Sequence, residues 1–379
     1  MAKSSRLWYK THRHVVKRVH KHVNGLRKHI HKKIKPTLHA HIKHSRSIVL
    51  RLLDSLKNPY IALAVAYLIW GATAPISKLT LTEIGPFSLL LLRTIIASFI
   101  LLPFVLKHKI TFTFHEQSFI ALSAFFSVFL HILLFYLALP LIPSINASMI
   151  GVISPFIFVI MARMFLGEHA SPRKYYGMFF GLLGVFCITV LPFLFPPSDN
   201  VLGVSTTFLA TLRTLGIAEA DLSGAQLRWL GHGLLILGVF IGAVGPLFLK
   251  PLRHFPGIVL TFWQFALVAC FTLPFALLEN PDLYLTTISW KGLLGLVYIA
   301  IPSSVVAYSL YNHGLQNTKA ADVGLFSYLA PISALLVGIP LLHEYPDLWF
   351  IIGSALVLVG VWIAERHLRH KYPRHTIVR

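Results

Sequence analysis

The chain has 379 residues, of which 56% are apolar and only 12% charged, with a formal net charge of +21. A soluble domain carries about 25% charged residues, so the composition excludes an ordinary soluble globular protein. Residues 1–58 alone hold a net +15, so the charge does not form one nucleic-acid-binding face either.

In chain order, the first segment is this basic, His-rich tail. Val15, Val19, Val23, Leu26, Ile30, Ile34, Leu38 and Ile42 recur at steps of three or four between Lys, Arg and His, interrupted at Pro36. That pattern predicts a basic amphipathic helix on an anionic cytoplasmic leaflet, with lipid headgroups as partner and no nucleic acid. A merely solvated tail is the competing reading. The pairs His12/His14, His20/His22, His29/His31 and His39/His41 are two apart, so on a helix they face nearly opposite ways. Only His41 and His44 have helical ligand spacing, and no metal is expected. No secretory signal peptide is expected, because the first long apolar run begins near Tyr60. Cys187 and Cys270 stand alone in apolar segments, without disulfide or zinc spacing.

Ten runs follow that are long and apolar enough to cross about 30 Å of hydrocarbon. They cover 60–78, 86–106, 117–138, 144–166, 175–193, 230–249, 256–278, 291–312, 320–342 and 347–364. The segment 194–229 is a longer connection with a weakly amphipathic stretch, and 367–379 is a basic C-terminal tail. Lys107, Lys109, Arg173, Lys174, Lys250, Arg253, Lys319 and the C-terminal Arg and Lys residues all fall on one side of this topology. The excess predicts a multi-pass protein of the plasma membrane with both termini cytoplasmic.

The sequence also repeats itself. A shift of 176 residues places Pro155 on Pro331, Glu168 on Glu344, Gly177 on Gly353, Gly184 on Gly360 and Val185 on Val361. A shift of 171 places Gly71, Ala72 and Pro75 on Gly242, Ala243 and Pro246. Each copy, 59–193 and 230–366, holds five spans. An odd number makes the second copy enter the membrane from the opposite side, giving an inverted repeat. The expected fold is therefore an all-α integral membrane protein of ten transmembrane helices in two inverted five-helix repeats.

The motifs WGATAPISK, LLLRTIIAS and SPFIFVIMARMFLGEHASPRKYYGMFFGLLGV, with the looser copies FIGAVGPLFLK and LAPISALLVGIPLLHEYPDLWFIIGSALVLVGV, carry a resemblance. They are similar to the EamA family of the drug/metabolite transporter superfamily, over about residues 59–366. That resemblance implies a central cavity between the halves and alternating access. The expected activity is secondary transport, as exporter or exchanger, of a small organic metabolite such as an amino acid. A receptor or scaffold that keeps the fold without transporting is the alternative. No enzyme is expected: neither HExxH nor a Ser nucleophile with its base is present, and no cofactor is implied.

Polar groups at membrane depth are costly and usually face a cavity or a partner. Arg93 lies two turns into the second span and matches the Arg of the family's second-span motif. It suits a carboxylate or phosphate, with a structural or snorkelling role as the competing reading. Trp70, His131, Tyr136, Tyr308 and Tyr311 are further substrate-binding candidates. Trp263 and Gln264 occupy the place equivalent to Arg93 in the second copy. Pro155 and Pro331 are candidate hinges, and Glu168 and Glu344 candidate gate residues at opposite faces. Lys78 is expected to snorkel, and Asn146 and Asp322 to cap helices. No Asp or Glu lies in the middle of any span.

Overall fold

The computed structural model describes residues 55–108, 110–166, 172–194, 211, 224–280, 282–284, 286–318, 323 and 326–365. Residues Met1–Asn58 and Pro59–Arg379 form two separate units. The amphipathic tail helix, Glu168, Asp322 and most of the 194–229 connection fall outside the described residues. All regular structure among the described residues is helical.

The first repeat contains α1 (Pro59–Thr80), α2 (Pro86–Val105), α3 (Phe114–Ser123), α4 (His131–Ala138), α5 (Ser144–Gly151), α6 (Ser154–Leu166) and α7 (Pro172–Thr189). The second contains α8 (Gly224–Leu249), α9 (Gly257–Glu279), α10 (Trp290–Tyr298), α11 (Ala307–Asn317), α12 (Leu329–Leu342) and α13 (Leu348–Glu365). Local chemistry sets several starts. Pro86 supplies the fixed φ that suits a first helical turn. Thr113 and Glu116 form a reciprocal capping box ahead of α3. The Ser289 hydroxyl accepts from the amides of Lys291 and Gly292 ahead of α10.

Among the described residues, six helical segments are long and apolar enough to cross a membrane: Pro59–Thr80, Pro86–Val105, Phe114–Leu141, Gly224–Leu252, Gly257–Glu279 and Trp290–Asn317. Three shorter apolar helices, Tyr175–Thr189, Leu329–Leu342 and Leu348–Gly360, fall in other expected spans. The expected fourth span is not one rod. It turns at Val152–Ile153, separating α5 from α6 just before Pro155. The expected ninth span turns at Ser327–Tyr328, just before Pro331. A proline lacks the amide that would bond four residues back, so both breaks have the same cause.

The repeat is visible in three dimensions. Pro75 and Pro246 sit inside α1 and α8, and Pro103 and Pro274 sit inside α2 and α9. The third segment of each repeat widens into π-type turns, at Ala124–Leu130 and at Ile299–Val306. The helices also interlock across the repeats: α1 packs on α11 and α12, while α8 packs on α4 and α6. Equivalent helices pair directly, α2 with α9 and α7 with α13.

The α7–α13 pair runs antiparallel through glycines. A Cβ on Gly353 would sit 2.5 Å from the Gly184 carbonyl oxygen, and one on Gly360 would sit 2.5 Å from that of Gly177. Backbone meets backbone at both points, so any side chain would push the helices apart. Gly177 is the equivalent of Gly353, and Gly184 of Gly360. The two contacts are thus one contact repeated about a two-fold axis.

Candidate functional site

The site is a cavity of about 290 Å³ between the two repeats. Its wall includes Trp70, Arg93, His131, Gln264, Tyr308 and Tyr311 from the sequence-derived candidates. Both helix breaks border it, through Gly151 and Ser154 in one repeat and Ser327 and Ala330 in the other. Its lining extends to Leu249, Leu315 and Val323, towards the end of the bundle where α8 and α11 finish. Towards the other end the α1 lining stops at Ala74, one turn short of Lys78.

Arg93 enters from the middle of α2 and is 3% exposed. Its Nε donates to the Ser304 hydroxyl at 2.9 Å and its Nη1 donates to the Tyr136 hydroxyl at 2.8 Å. Its guanidinium carbon also stands 5.9 Å from the centre of the Tyr136 ring. Tyr136 is fully buried and outside the cavity lining, so it holds Arg93 from behind. Ser304 is aimed by the π-type turn on which it lies: its hydroxyl donates to the Ile299 carbonyl at 2.8 Å. Both partners of Arg93 are neutral. Among the described residues no carboxylate lies within ion-pair reach of it.

Opposite α2, the equivalent position on α9 carries Gln264, 2% exposed. Its Nε2 donates to the Ser123 hydroxyl at 2.9 Å, and its Oε1 has no partner. The neighbouring Trp263 does not join it. Trp263 is 40% exposed and packs edge-on against Phe112, away from the cavity. The two residues point apart because they are one step along a helix, about 100° in rotation.

One wall of the cavity is aromatic. Trp70 lies 5.0 Å from Tyr308 and 5.1 Å from Tyr311 between ring centres, and Tyr67 closes the cluster at 5.4 Å from Trp70. Trp70 is fixed across the repeats, its Nε1 donating to the Ser303 carbonyl at 3.1 Å. The facing wall is built on glycines. His131 fits against α8 where a Cβ on Gly242 would stand 2.7 Å from its Nδ1. That Nδ1 is 2.8 Å from the Gly238 carbonyl oxygen, which can only accept. A proton therefore sits on Nδ1; in the neutral ring this leaves an acceptor lone pair on Nε2.

The closed end is held by carboxylates bonded across the repeats. Glu344 Oε2 accepts from the Ser144 amide at 2.7 Å, the Ser144 hydroxyl at 2.6 Å and the Ile145 amide at 3.3 Å. Its Oε1 takes Lys78 Nζ at 2.8 Å, and Lys78 also donates to the Ile142 carbonyl at 2.7 Å. Lys78 therefore ties helices together where snorkelling was expected. Asn146 is the third residue of α5 rather than its cap. The free amides at that helix start are met by Glu344 instead. Glu279 does the same for α2, accepting from the Phe87 and Ser88 amides, and Glu83 for the start of α10, accepting from Ser289.

Tyr67, Ser127 and Ser303 also line the cavity without having been singled out in the sequence. Tyr67 was legible, since it lies three before Trp70 and shares its helix face. Serines in an oily helix carry no such signal. Among the described residues no cluster of three His, Cys, Asp or Glu side chains could hold a metal.

A helical multi-pass membrane protein with a largely apolar cavity between two repeats, carrying a few buried polar groups, has the build of a transporter. The comparisons agree: residues 57–190 and 229–365 match the EamA-like transporter family, one match per repeat, and the chain belongs to that family. An uncharacterized transporter of Archaeoglobus fulgidus is 28% identical over 81% of this chain and 98% of its own length. A Salmonella typhimurium protein named "Probable amino-acid metabolite efflux pump" is 23% identical over 82% of this chain and 95% of its own. A solved crystal structure superposes with a TM-score of 0.56 at 17% identity, covering 83% of this chain and 99% of that one. The last likeness bears on fold alone.

Proposed function

We propose that the protein is a secondary transporter of a small organic metabolite, an exporter or exchanger, working by alternating access between its repeats. The observation that carries this reading is Arg93: a buried cation on a cavity wall with only neutral protein partners. A purely structural guanidinium in so apolar a site would be expected to have a carboxylate partner. In this reading ten helical segments cross the plasma membrane and both termini are cytoplasmic, a topology that the placement of Lys and Arg supports. The cavity then extends towards the cytoplasm, and the Lys78–Glu344–Ser144 cluster closes the outer end. Pro155 and Pro331 act as hinges, and Glu168 is the inner counterpart of Glu344.

The basic tail lies on the anionic inner leaflet, where each basic residue close to the surface contributes about 1 kcal/mol. The small-molecule cargo of the Salmonella relative supports a metabolite in the amino-acid size range. The test is counterflow of labelled metabolites into liposomes containing the purified protein. Accumulation against a preloaded unlabelled pool is expected, reduced by Arg93→Gln. Absence of flux across a broad panel would overturn the reading.

A further inference from the structure

The chemistry of the cavity wall limits what it can hold, given that it is a transport site. Arg93 Nη2 has no hydrogen-bond partner among the described groups, whereas Nε and Nη1 are both engaged. Its donors are therefore left for an acceptor in the cavity, and the charge beside them has no counter-charge among the described residues. One anionic group of the cargo would provide both. A dianion would leave an excess negative charge at the same depth, so a single carboxylate fits better than a fully ionised phosphate.

The rest of the described wall offers no opposite charge for a second charged group: the aromatic faces attract a cation, but beside Arg93 that attraction is opposed by like charge. The groups left for a ligand include Gln264 Oε1 and the unpartnered hydroxyls of Ser303 and Ser127, with His131 Nε2 as a further acceptor when the ring is neutral. These can accept a neutral N–H or O–H, but no described carboxylate lines the cavity to offset an ammonium. A free ammonium would also sit in one small volume with the Arg93 guanidinium, like charge against like. The same cavity carries the four rings of Tyr67, Trp70, Tyr308 and Tyr311, with centres 5.0 to 6.1 Å apart. The rings are packed edge-on or tilted on one another and form a continuous aromatic surface, against which a flat partner can lie stacked or edge-on.

We propose that the cargo is a flat organic monoanion, a carboxylate carried on an aromatic or heteroaromatic body, in preference to a zwitterion or a cation. This rests on the transport reading above for the word cargo, but not for the binding preference. The carboxylate lies on Arg93, the ring lies against Trp70 and Tyr308, and any neutral N–H of the ring points to Gln264 or His131.

A matched set of probes tests it on the full-length protein in lipid nanodiscs, by calorimetric titration: 3-phenylpropionate, 3-phenylpropionamide, phenylalanine, 2-phenylethylammonium and 3-cyclohexylpropionate. The first should bind about ten- to a hundredfold more tightly than the amide, the loss expected for a hydrogen bond to a charged group. Phenylalanine and 2-phenylethylammonium should be weaker still, and the cyclohexyl acid should fall below the phenyl acid. Arg93→Gln should level the acid and the amide. Trp70→Leu should remove the preference for phenyl over cyclohexyl while keeping that for acid over amide, a control that does not depend on Arg93's own contribution to folding. Equal binding of acid and amide by the unaltered protein, or tighter binding of the ammonium, overturns the proposal. Counterflow of the same probes separates the two readings. Flux of a neutral or cationic solute without anion preference refutes the monoanion and leaves transport standing. Tight anion binding with no flux of any solute refutes transport and leaves the monoanion site standing.

Discussion

In the transport reading, loss of the Glu344 carboxylate should open the end of the cavity beyond Ala74. Glu344 and Lys78 side chains are 13% and 20% exposed, so the pair is largely but not wholly withdrawn from solvent. Breaking a fully buried pair by removing one partner costs about 3–5 kcal/mol, and residual exposure lowers that here. Hydrogen bonds to charged groups contribute about 1.5–3 kcal/mol each, and Glu344 accepts from Lys78, from Ser144 and from Ile145. Glu344→Gln keeps an acceptor for the helix amides but turns an amide donor towards Lys78. A net weakening of the closed form by about 2 kcal/mol follows, a shift of roughly thirtyfold in the open population. The reporter is Ala147→Cys, a cavity-lining residue of α5 that is 2% exposed, in a background lacking Cys187 and Cys270. A membrane-impermeant maleimide added outside should label it about ten- to thirtyfold faster in Glu344→Gln and in Lys78→Met. The double variant should label no faster than either single one, since the two share one interaction. A labelling rate within twofold of the parent, or additive effects in the double variant, would refute the assignment of this cluster to closure.

Three further outcomes are expected. Gly184→Ala places a methyl against the Gly353 carbonyl with no flexible side chain to yield, so it should destabilise the α7–α13 pair by about 1–3 kcal/mol; thermal unfolding in detergent reads this directly. Gly242→Ala drives a methyl into the His131 ring and should break its bond to Gly238. Ligand affinity should then fall at least several-fold, and the melting temperature should fall as well, since a buried hydrogen bond is lost. Pro155→Ala and Pro331→Ala restore the amides missing at the two helix breaks. Each should slow counterflow several-fold with binding affinity unchanged, and equal loss of both would argue against a hinge role.

The helices and their order were legible because lipid-length apolar runs leave little room for another reading. The repeat was legible because backbone-driven residues mark it: the glycines at 177, 184, 353 and 360 are where two helices touch without side chains. What the sequence concealed depends on the sense in which a side chain points. Trp263 and Gln264 are neighbours in the same span, yet one faces Phe112 and the other the cavity. Both were candidates, because an apolar helix has too little polar contrast to reveal which side is inward. Lys78 and Glu344 are 266 positions apart and pair only once α1 and α12 are packed. Hydropathy could place each at a helix end, but not on each other. Asn146 was read as a cap from its type, whereas the amides it would have served are met by a carboxylate from the other repeat.

The widened turns at Ala124–Leu130 and Ile299–Val306 have a consequence for rotational register. A π-type turn takes one more residue than an α-turn over nearly the same rise. Everything C-terminal to it is therefore rotated by about 100° relative to an uninterrupted helix. Tyr308 and Tyr311 stand just beyond the second widening and face the cavity, and His131 stands just beyond the first. Removing one residue from either stretch would keep the helix and its hydropathy intact while turning these side chains towards a neighbouring helix or lipid. The binding wall is thus set by the phase of two helices, a property that composition and span length do not record.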